Sequence, residues 1–332
     1  MLEQQRHIDL HLPKGWNQCT TDELEHIAAA IILCQQRVDR YHPFDWAQVK
    51  LMAVLAINGL EVVSQPVPVI QDYSHDDTYL LRRDKEEPFP ISVGQLCDLC
   101  SHLDWIEDPK PRYPLFHFPY KEITAGANSM TITLQGPIAM LDGYSWQEYR
   151  WLTDWMPEYL RAVNGKRDAS NAECQFLSIL FRAEQTINDK IKELEAEAEL
   201  KGDDFPKKQR QELESLKALV KDPAVLFSDF PPIKWQVILF WWSALMLQLE
   251  RKFPKVFKQQ PVGKGKRPQK RDTPWDFYNR VIATIQKYVG GLSEQDVNTA
   301  SYGTILQQLD MMAREAEEME RLNKKYKSHN SH

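Results

Sequence analysis

The sequence predicts a mainly α-helical fold with a minor β component, and three observations lead to this prediction. Apolar residues recur at steps of three and four over several long segments, as on the buried face of a helix. Ser or Thr stands before several of these segments with an acidic residue close behind, which caps a helix N-terminus. Strand-like alternation of apolar and polar residues is confined to short stretches before residue 140.

Composition places the chain among ordinary globular proteins, since 42% of its 332 residues are hydrophobic and 27% are charged. We expect two or three folded units, because domains usually contain roughly 100–150 residues. Lys and Arg total 41 and Asp and Glu total 47, so the net charge of −6 does not favour polyanions. Five cysteines in a long chain indicate a reducing compartment rather than a disulfide framework, so we expect a cytoplasmic protein.

The pattern of residues 1–140 predicts an α+β domain. The alternating residues 6–12 predict a short strand or an extended arm. Thr20 or Thr21, with acidic residues directly behind, predicts the start of the first helix. A second helix is expected over residues 45–57, because an Asn-Gly pair follows it and Gly accepts a positive φ at a helix end.

The later part of this domain alternates between strands and helix. Valines and prolines in residues 61–83 indicate edge strands around a polar loop. Ser92 predicts the start of a helix that reaches about Trp105, and the proline-rich stretch 109–119 cannot be helical. Residues 129–134 alternate with a two-residue period and predict one more strand.

Residues 141–253 predict a helical domain. Ser145 and Glu148 have the spacing of a capping box at the start of a helix. Apolar residues at helical spacing on both sides of a Gly-Asp-Asp-Phe-Pro turn predict a projecting helical hairpin over about 170–220. The apolar run 235–249 predicts a buried helix, because it is shorter than the ~20 residues that cross a bilayer.

The C-terminal part is predicted to contain a basic, flexible linker over residues 254–274 and a helical module over 275–332. The last helix of this module, from about Tyr302 to Tyr326, carries a heptad-like apolar stripe. Such a stripe packs either within the chain or against another protein, since both require the same spacing. The candidate interaction residues on this stripe are Ile305, Leu309, Met312 and Met319.

The linker suggests nucleic-acid binding as an alternative function. Its basic side chains could contact phosphates, in which case affinity would fall steeply as salt rises. The other interpretation is a solvated tether, because charges on a Gly- and Pro-rich segment keep it unfolded. The candidate phosphate-contacting residues are Lys264, Lys266, Arg267, Lys270 and Arg271.

A metal-dependent enzyme is the second alternative. His7, Asp9 and His11 point to one side if residues 6–12 form a strand, and together they could hold a divalent metal. The other interpretation is the polar face of an amphipathic strand. Cys97 and Cys100 have the gap of a zinc knuckle, but we expect them to be buried structural cysteines on a helix. Because no catalytic or phosphate-binding motif occurs, neither an enzyme nor a cofactor is expected.

Short motifs in the C-terminal part follow one another in the order Trp275–Tyr278, Ile285–Tyr288, Gly290–Val297 and Ser301-Tyr302, before a long acidic helix. This order resembles the C-terminal part of small helical tail-assembly or virion-morphogenesis proteins of tailed phages and prophages. The segment Leu141–Arg150 is similar in style to prophage sequences of Bacteroidota. The resemblance covers about the C-terminal third and implies an assembly protein, virion-associated if phage-derived, that binds other proteins without catalysis or cofactor.

The sequence therefore predicts a non-enzymatic protein–protein interaction or assembly factor. Its expected partners are other proteins of an assembly or further copies of the chain, bound through helical surfaces. A nucleic-acid partner is expected less, and no membrane segment is expected.

Overall fold

The structure is a computed structural model, and its architecture is mainly α-helical with two small β-sheets, as the sequence predicts. None of the described helices combines the length and the apolar character that crossing a bilayer requires. The described residues are 10–38, 43–64, 77–109, 112, 114–127, 130–257, 281–287 and 292–329.

The chain divides into two compact units. The first comprises Met1–Pro119 and Pro231–Ala244, and the second comprises Tyr120–Phe230 and Leu245–His332. The predicted segments, cut at residues 140, 253 and 274, do not coincide with these units.

The helices of the first unit begin where the sequence predicts. The Thr20 hydroxyl accepts a hydrogen bond from the backbone N–H of Glu23, whose carboxylate accepts from the backbone N–H of Thr20. The helix predicted to reach Trp105 ends earlier, and a short 3-10 turn at Asp104–Ile106 follows it. The helices are α1 (Thr21–Gln36), α2 (Trp46–Ile57), α3 (Val93–Ser101) and the first part of α8 (Pro232–Lys252).

A three-stranded antiparallel sheet accompanies these helices, with β1 (Leu60–Ser64), β2 (Thr78–Arg83) and β3 (Phe89–Ser92) adjacent in that order. Strands β1 and β2 confirm that residues 61–83 contain strands, but β2 pairs on both sides and is the central strand, not the edge strand that was predicted. The predicted strand at 6–12 is not confirmed, since residues 10–12 have no regular structure and 6–9 lie outside the described residues. The buried residues of the sheet and of α3 are Leu60, Leu81, Phe89, Ile91 and Leu96.

The second unit contains a β-hairpin of β4 (Glu122–Ala127) and β5 (Met130–Gln135). Strand β5 confirms the predicted strand, whereas β4 was not predicted. The helices, besides the second part of α8, are α4 (Trp146–Asn164), α5 (Ser170–Leu180), α6 (Ala183–Lys201), α7 (Lys207–Leu219), α9 (281–287), α10 (Glu294–Thr299) and α11 (Tyr302–His329).

The predicted helical hairpin is present, but its first helix is broken. Arg182 takes a left-handed conformation, with φ 47° and ψ 44°, and separates α5 from α6. Helices α6 and α7 pack against each other around the predicted turn, and the ammonium of Lys217 lies 2.9 Å from a carboxylate oxygen of Glu195. The hairpin proper is therefore α6 and α7, while α5 packs on α4 and carries the buried Phe176.

Candidate interaction surface

Helix α11 is fixed to the second unit at its first residue. Ser301 and Ser145 form an isolated antiparallel bridge, so the starts of α11 and α4 lie side by side. The backbone N–H of Tyr302 donates to the carbonyl of Tyr144 at 3.2 Å, and the N–H of Trp146 donates to the carbonyl of Ala300 at 2.7 Å. The first turn of α11 is thus held by backbone hydrogen bonds, which tie it to α4.

The side chain of Tyr302 strengthens this attachment. Its ring stacks on Tyr149 with the ring centroids 4.9 Å apart, and its hydroxyl donates to the backbone carbonyl of Met140. Burial, with a smaller contribution from the charge of Asp142, raises the pKa of Tyr302 above its usual range. The hydroxyl therefore stays protonated and can donate over the whole physiological pH range.

The next turns of α11 are attached by apolar packing and by one buried carboxylate. Ile305 and Leu306 are 2% and 1% exposed. The carboxylate of Asp310, also buried, accepts from the backbone N–H of Lys255 at 3.0 Å and from the guanidinium of Arg314 at 2.7 Å. We call residues 302–313 the anchored half of α11.

Beyond this point the helix has one further polar attachment, an ion pair between the Glu317 carboxylate and the ammonium of Lys255. Every described side chain from Arg314 to Tyr326 is exposed. Met319, Leu322 and Tyr326 are 59%, 43% and 71% exposed, and their spacing of three and four residues puts them on one side of the helix. We call residues 314–329 the distal half of α11, and we call these three side chains its distal face.

The predicted interaction residues are divided between the two halves. Ile305 belongs to the core of its own unit, and Leu309 and Met312 are half-buried. Of the four, only Met319 is exposed, and it belongs to the distal face. Sequence reasoning did not include Leu322, although its distance of three residues from Met319 was a usable signal.

The predicted metal-ligating residues are only partly described. His7 and Asp9 lie outside the described residues. The imidazole of His11 is 2.9 Å from the carboxylate of Glu23, and the backbone of His11 exchanges hydrogen bonds with the side chain of Asn58. Within the described part of the chain, no three His, Cys, Asp or Glu side chains form a group that could hold a metal ion. Metal binding at His7, Asp9 and His11 stays a prediction.

The cysteines predicted to be buried on α3 differ from each other. Cys100 is half-buried, and burial, with the neighbouring Cys97, raises the pKa of its thiol to about 11. Cys97 is exposed, which corrects the expectation that both lie on the buried face. The buried face is instead occupied by Leu96. A thiol with a raised pKa is a poor nucleophile at neutral pH, so Cys100 fits a structural role.

The predicted nucleic-acid segment, residues 264–271, lies outside the described residues. Its five basic residues are therefore not placed, and phosphate binding there stays a prediction. The linker prediction for residues 254–274 is described only as far as residue 257.

A groove of about 380 Å³ lies in the second unit beside the break between α5 and α6. The guanidinium of Arg182 contacts Glu148 at 2.7 Å, donates to the carbonyl of Gly143 at 2.6 Å and lies 4.0 Å above the ring of Tyr144. Glu148 also completes the predicted capping box of α4 with Ser145. This cluster stabilises the helix break, and sequence reasoning found Glu148 but missed Arg182.

Helix α11 thus offers an exposed apolar face that continues from an anchored half, whereas the groove at Arg182 has its main charges paired with each other. The chain matches no family model, and no curated protein or solved structure is significantly similar to it.

Proposed function

We propose that this chain is a non-enzymatic protein-interaction or assembly factor that binds a protein partner through the distal face of α11. The observation that carries the proposal is the exposure of Met319, Leu322 and Tyr326 on one side of the helix. Single exposed apolar residues are normal on protein surfaces. Three at helical spacing match the way an amphipathic helix is bound by a partner.

The anchored half also supports this proposal, because it helps the distal half to form a helix. An isolated helix shorter than ~12–15 residues is marginal in water, and the distal half has little tertiary packing to stabilise it. Its attachment to the anchored half starts the helix without a separate nucleation step, so the distal face is already formed before a partner arrives. Such preorganisation reduces the entropy lost on binding.

The resemblance of the C-terminal third to tail-assembly and virion-morphogenesis proteins supports a phage or prophage assembly as the setting. On this proposal the protein acts in the cytoplasm during assembly or stays with the virion. No cofactor is required, because recognition by an apolar helix face involves no bond chemistry.

Site-specific photo-crosslinking in the native host tests the proposal. A photoreactive phenylalanine analogue replaces Leu322 in the tagged full-length chain, and the control carries the same group at Leu200, which is 89% exposed in the same unit. We expect discrete protein adducts from position 322 and none from position 200. Equal labelling at both positions, or no adduct at 322, would overturn the proposal.

A substitution pair gives the same test without a crosslinker. Leu322→Glu places a charge on the distal face, so we expect the adducts formed by an analogue at Met319 to disappear. Leu200→Glu should leave them unchanged. Circular dichroism of both variants checks that the fold is retained.

A further inference from the structure

The distal half of α11 has a polarised charge distribution along its length. Residues 315–320 contain four glutamates and no basic residue, while residues 321–327 contain four lysines or arginines and no acidic residue. One of the four glutamates, Glu317, already pairs with Lys255 of its own unit. Glu315, Glu318 and Arg321 are exposed in the described structure. The apolar distal face therefore runs across an acidic stretch and then a basic one.

We infer that the partner of the distal face is a second copy of this chain, with the two distal halves paired antiparallel. The inference rests on the proposed function. An antiparallel arrangement places the acidic stretch of each helix beside the basic stretch of the other, so both ends of the contact attract. A parallel arrangement would place like charges together, which is unfavourable for helix pairing.

The helix periodicity gives the approximate register. Leu322 lies near the two-fold axis of such a pair, where it meets Leu322 of the second copy. Met319 of each copy then approaches Tyr326 of the other, and Glu318 approaches Lys325 of the other. Because the pair is symmetric, each of these contacts occurs twice, as expected of a two-fold interface.

The contact between the two distal halves is short, so we expect its affinity to be low. About 14 helical residues at 1.5 Å per residue give a paired length of roughly 20 Å, and such a contact falls in the class of small, transient interfaces. We expect a dimer that dissociates on dilution. Because exposed ion pairs contribute to the pairing, added salt should weaken it.

Sedimentation equilibrium of the purified full-length protein tests dimer formation over a wide range of concentrations. We expect a monomer–dimer equilibrium, abolished by Leu322→Glu and unchanged by the control Leu200→Glu. Wild-type protein that stays monomeric up to millimolar concentration would overturn the inference. Crosslinks from position 322 to another protein would then leave the proposed function standing, while the absence of any crosslink would remove both.

Charge reversal tests the antiparallel orientation. Glu315→Lys with Glu318→Lys reverses two of the four acidic charges of residues 315–320, including the one that approaches Lys325 of the other copy. Arg321→Glu with Lys325→Glu reverses two of the four basic charges of residues 321–327, including the one that approaches Glu318 of the other copy. Each pair should raise the dissociation constant of the homodimer at least about tenfold, which corresponds to ~1.4 kcal/mol. The variant with all four substitutions exchanges the charges at the contacting positions 318 and 325, so opposite charges meet again there and its homodimer should recover.

Mixing wild type with the four-substitution variant separates the two orientations. In an antiparallel pair the mixed dimer places like charges together, so differently tagged, purified copies should not capture each other. In a parallel pair the mixed dimer is the favoured species. Preferential capture of the variant by wild type would therefore overturn the antiparallel arrangement.

Discussion

The two halves of α11 have the same kind of apolar periodicity but opposite environments. In the anchored half the stripe begins with Ile305, which is 2% exposed, and in the distal half it reaches Met319, which is 59% exposed. The difference does not lie in the stripe itself. It lies in the residues beside the stripe, since Tyr302 and Asp310 attach the first half to its unit.

One continuous helix can therefore serve two purposes. The anchored half contributes to the stability of the unit, and the distal half presents a surface at a fixed position. Mutations with the same chemistry should therefore have different effects in the two halves. Free energies of unfolding are to be measured at concentrations where the protein is monomeric, so that pairing of the distal halves does not contribute.

Truncation of the stripe should give the largest difference. Ile305→Ala removes buried methyl groups and leaves a cavity, so it should lower the free energy of unfolding by about 2–5 kcal/mol. The matched change Met319→Ala removes only exposed atoms and should cost less than about 0.5 kcal/mol. Chemical denaturation followed by circular dichroism measures both. Similar losses for the two variants would mean that the distal face is packed after all.

Removal of a carboxylate should give the next largest difference. Asp310→Ala leaves the backbone N–H of Lys255 without its acceptor and should cost about 1.5–3 kcal/mol, as for a hydrogen bond to a charged group. Glu315→Ala, at an exposed position of the distal half, serves as the control and should change stability by less than about 0.5 kcal/mol. If denaturant midpoints show no loss for Asp310→Ala, the attachment at this point is not energetically important.

The sequence contained enough information for most of the elements. The capping box beginning at Ser145 is present as predicted, because a cap is a local interaction between residues three apart. The hairpin of α6 and α7 was also predictable, since its turn residues and apolar spacing are local as well. Strand β4 was missed, because its alternation of polar and apolar residues covers only residues 122–125 before Gly126, a shorter pattern than that of β5.

The break at Arg182 shows why other features could not be predicted. The apolar spacing continues from Phe176 to Ile187 across the break, so periodicity indicates one helix. The left-handed conformation of Arg182 accompanies contacts with Gly143 and Glu148, which are more than thirty residues away in the sequence. An interaction at this separation leaves no local pattern.

The candidate surface was predictable only in part. The heptad-like spacing located the stripe on α11, but it could not separate Ile305 from Met319. Burial of one and exposure of the other depend on which elements surround each half, and the spacing does not record that. The charge reversal between residues 315–320 and 321–327 is visible in the sequence, yet its meaning depends on knowing that this half is exposed.

Tyr302→Phe should show a smaller effect that depends on pH. Loss of the hydrogen bond to Met140 should cost about 0.5–1.5 kcal/mol at neutral pH. The pKa of Tyr302 is raised in the folded protein, so above pH ~10 the unfolded state loses a proton that the folded state keeps. Wild-type stability should then fall as pH rises above that value, and the fall should be less steep in Tyr302→Phe.

Denaturation curves at pH 8, 9, 10 and 11 measure this difference, with Tyr326→Phe in the distal half as the control. Tyr144 is also buried with a raised pKa, so both variants should retain part of the alkaline destabilisation. The stability difference between wild type and Tyr302→Phe should therefore narrow with increasing pH. A constant difference would show that the hydroxyl is accessible to water in the folded state.

Glycine substitutions should give the smallest effect and the most direct measure of the boundary between the halves. Gln307 and Ala316 are both exposed, so glycine at either position costs mainly helix propensity, about 1 kcal/mol relative to alanine. In the anchored half this cost falls on global unfolding, so Gln307→Gly should lower stability by roughly 0.5–1 kcal/mol. In the distal half, Ala316→Gly should instead increase local fraying, which lowers the helical signal while global stability changes by less than about 0.5 kcal/mol. If Ala316→Gly lowered the free energy of unfolding only at concentrations where the dimer forms, the distal half would be ordered by its partner. If Gln307→Gly and Ala316→Gly lowered it equally at low concentration, α11 would unfold as one unit.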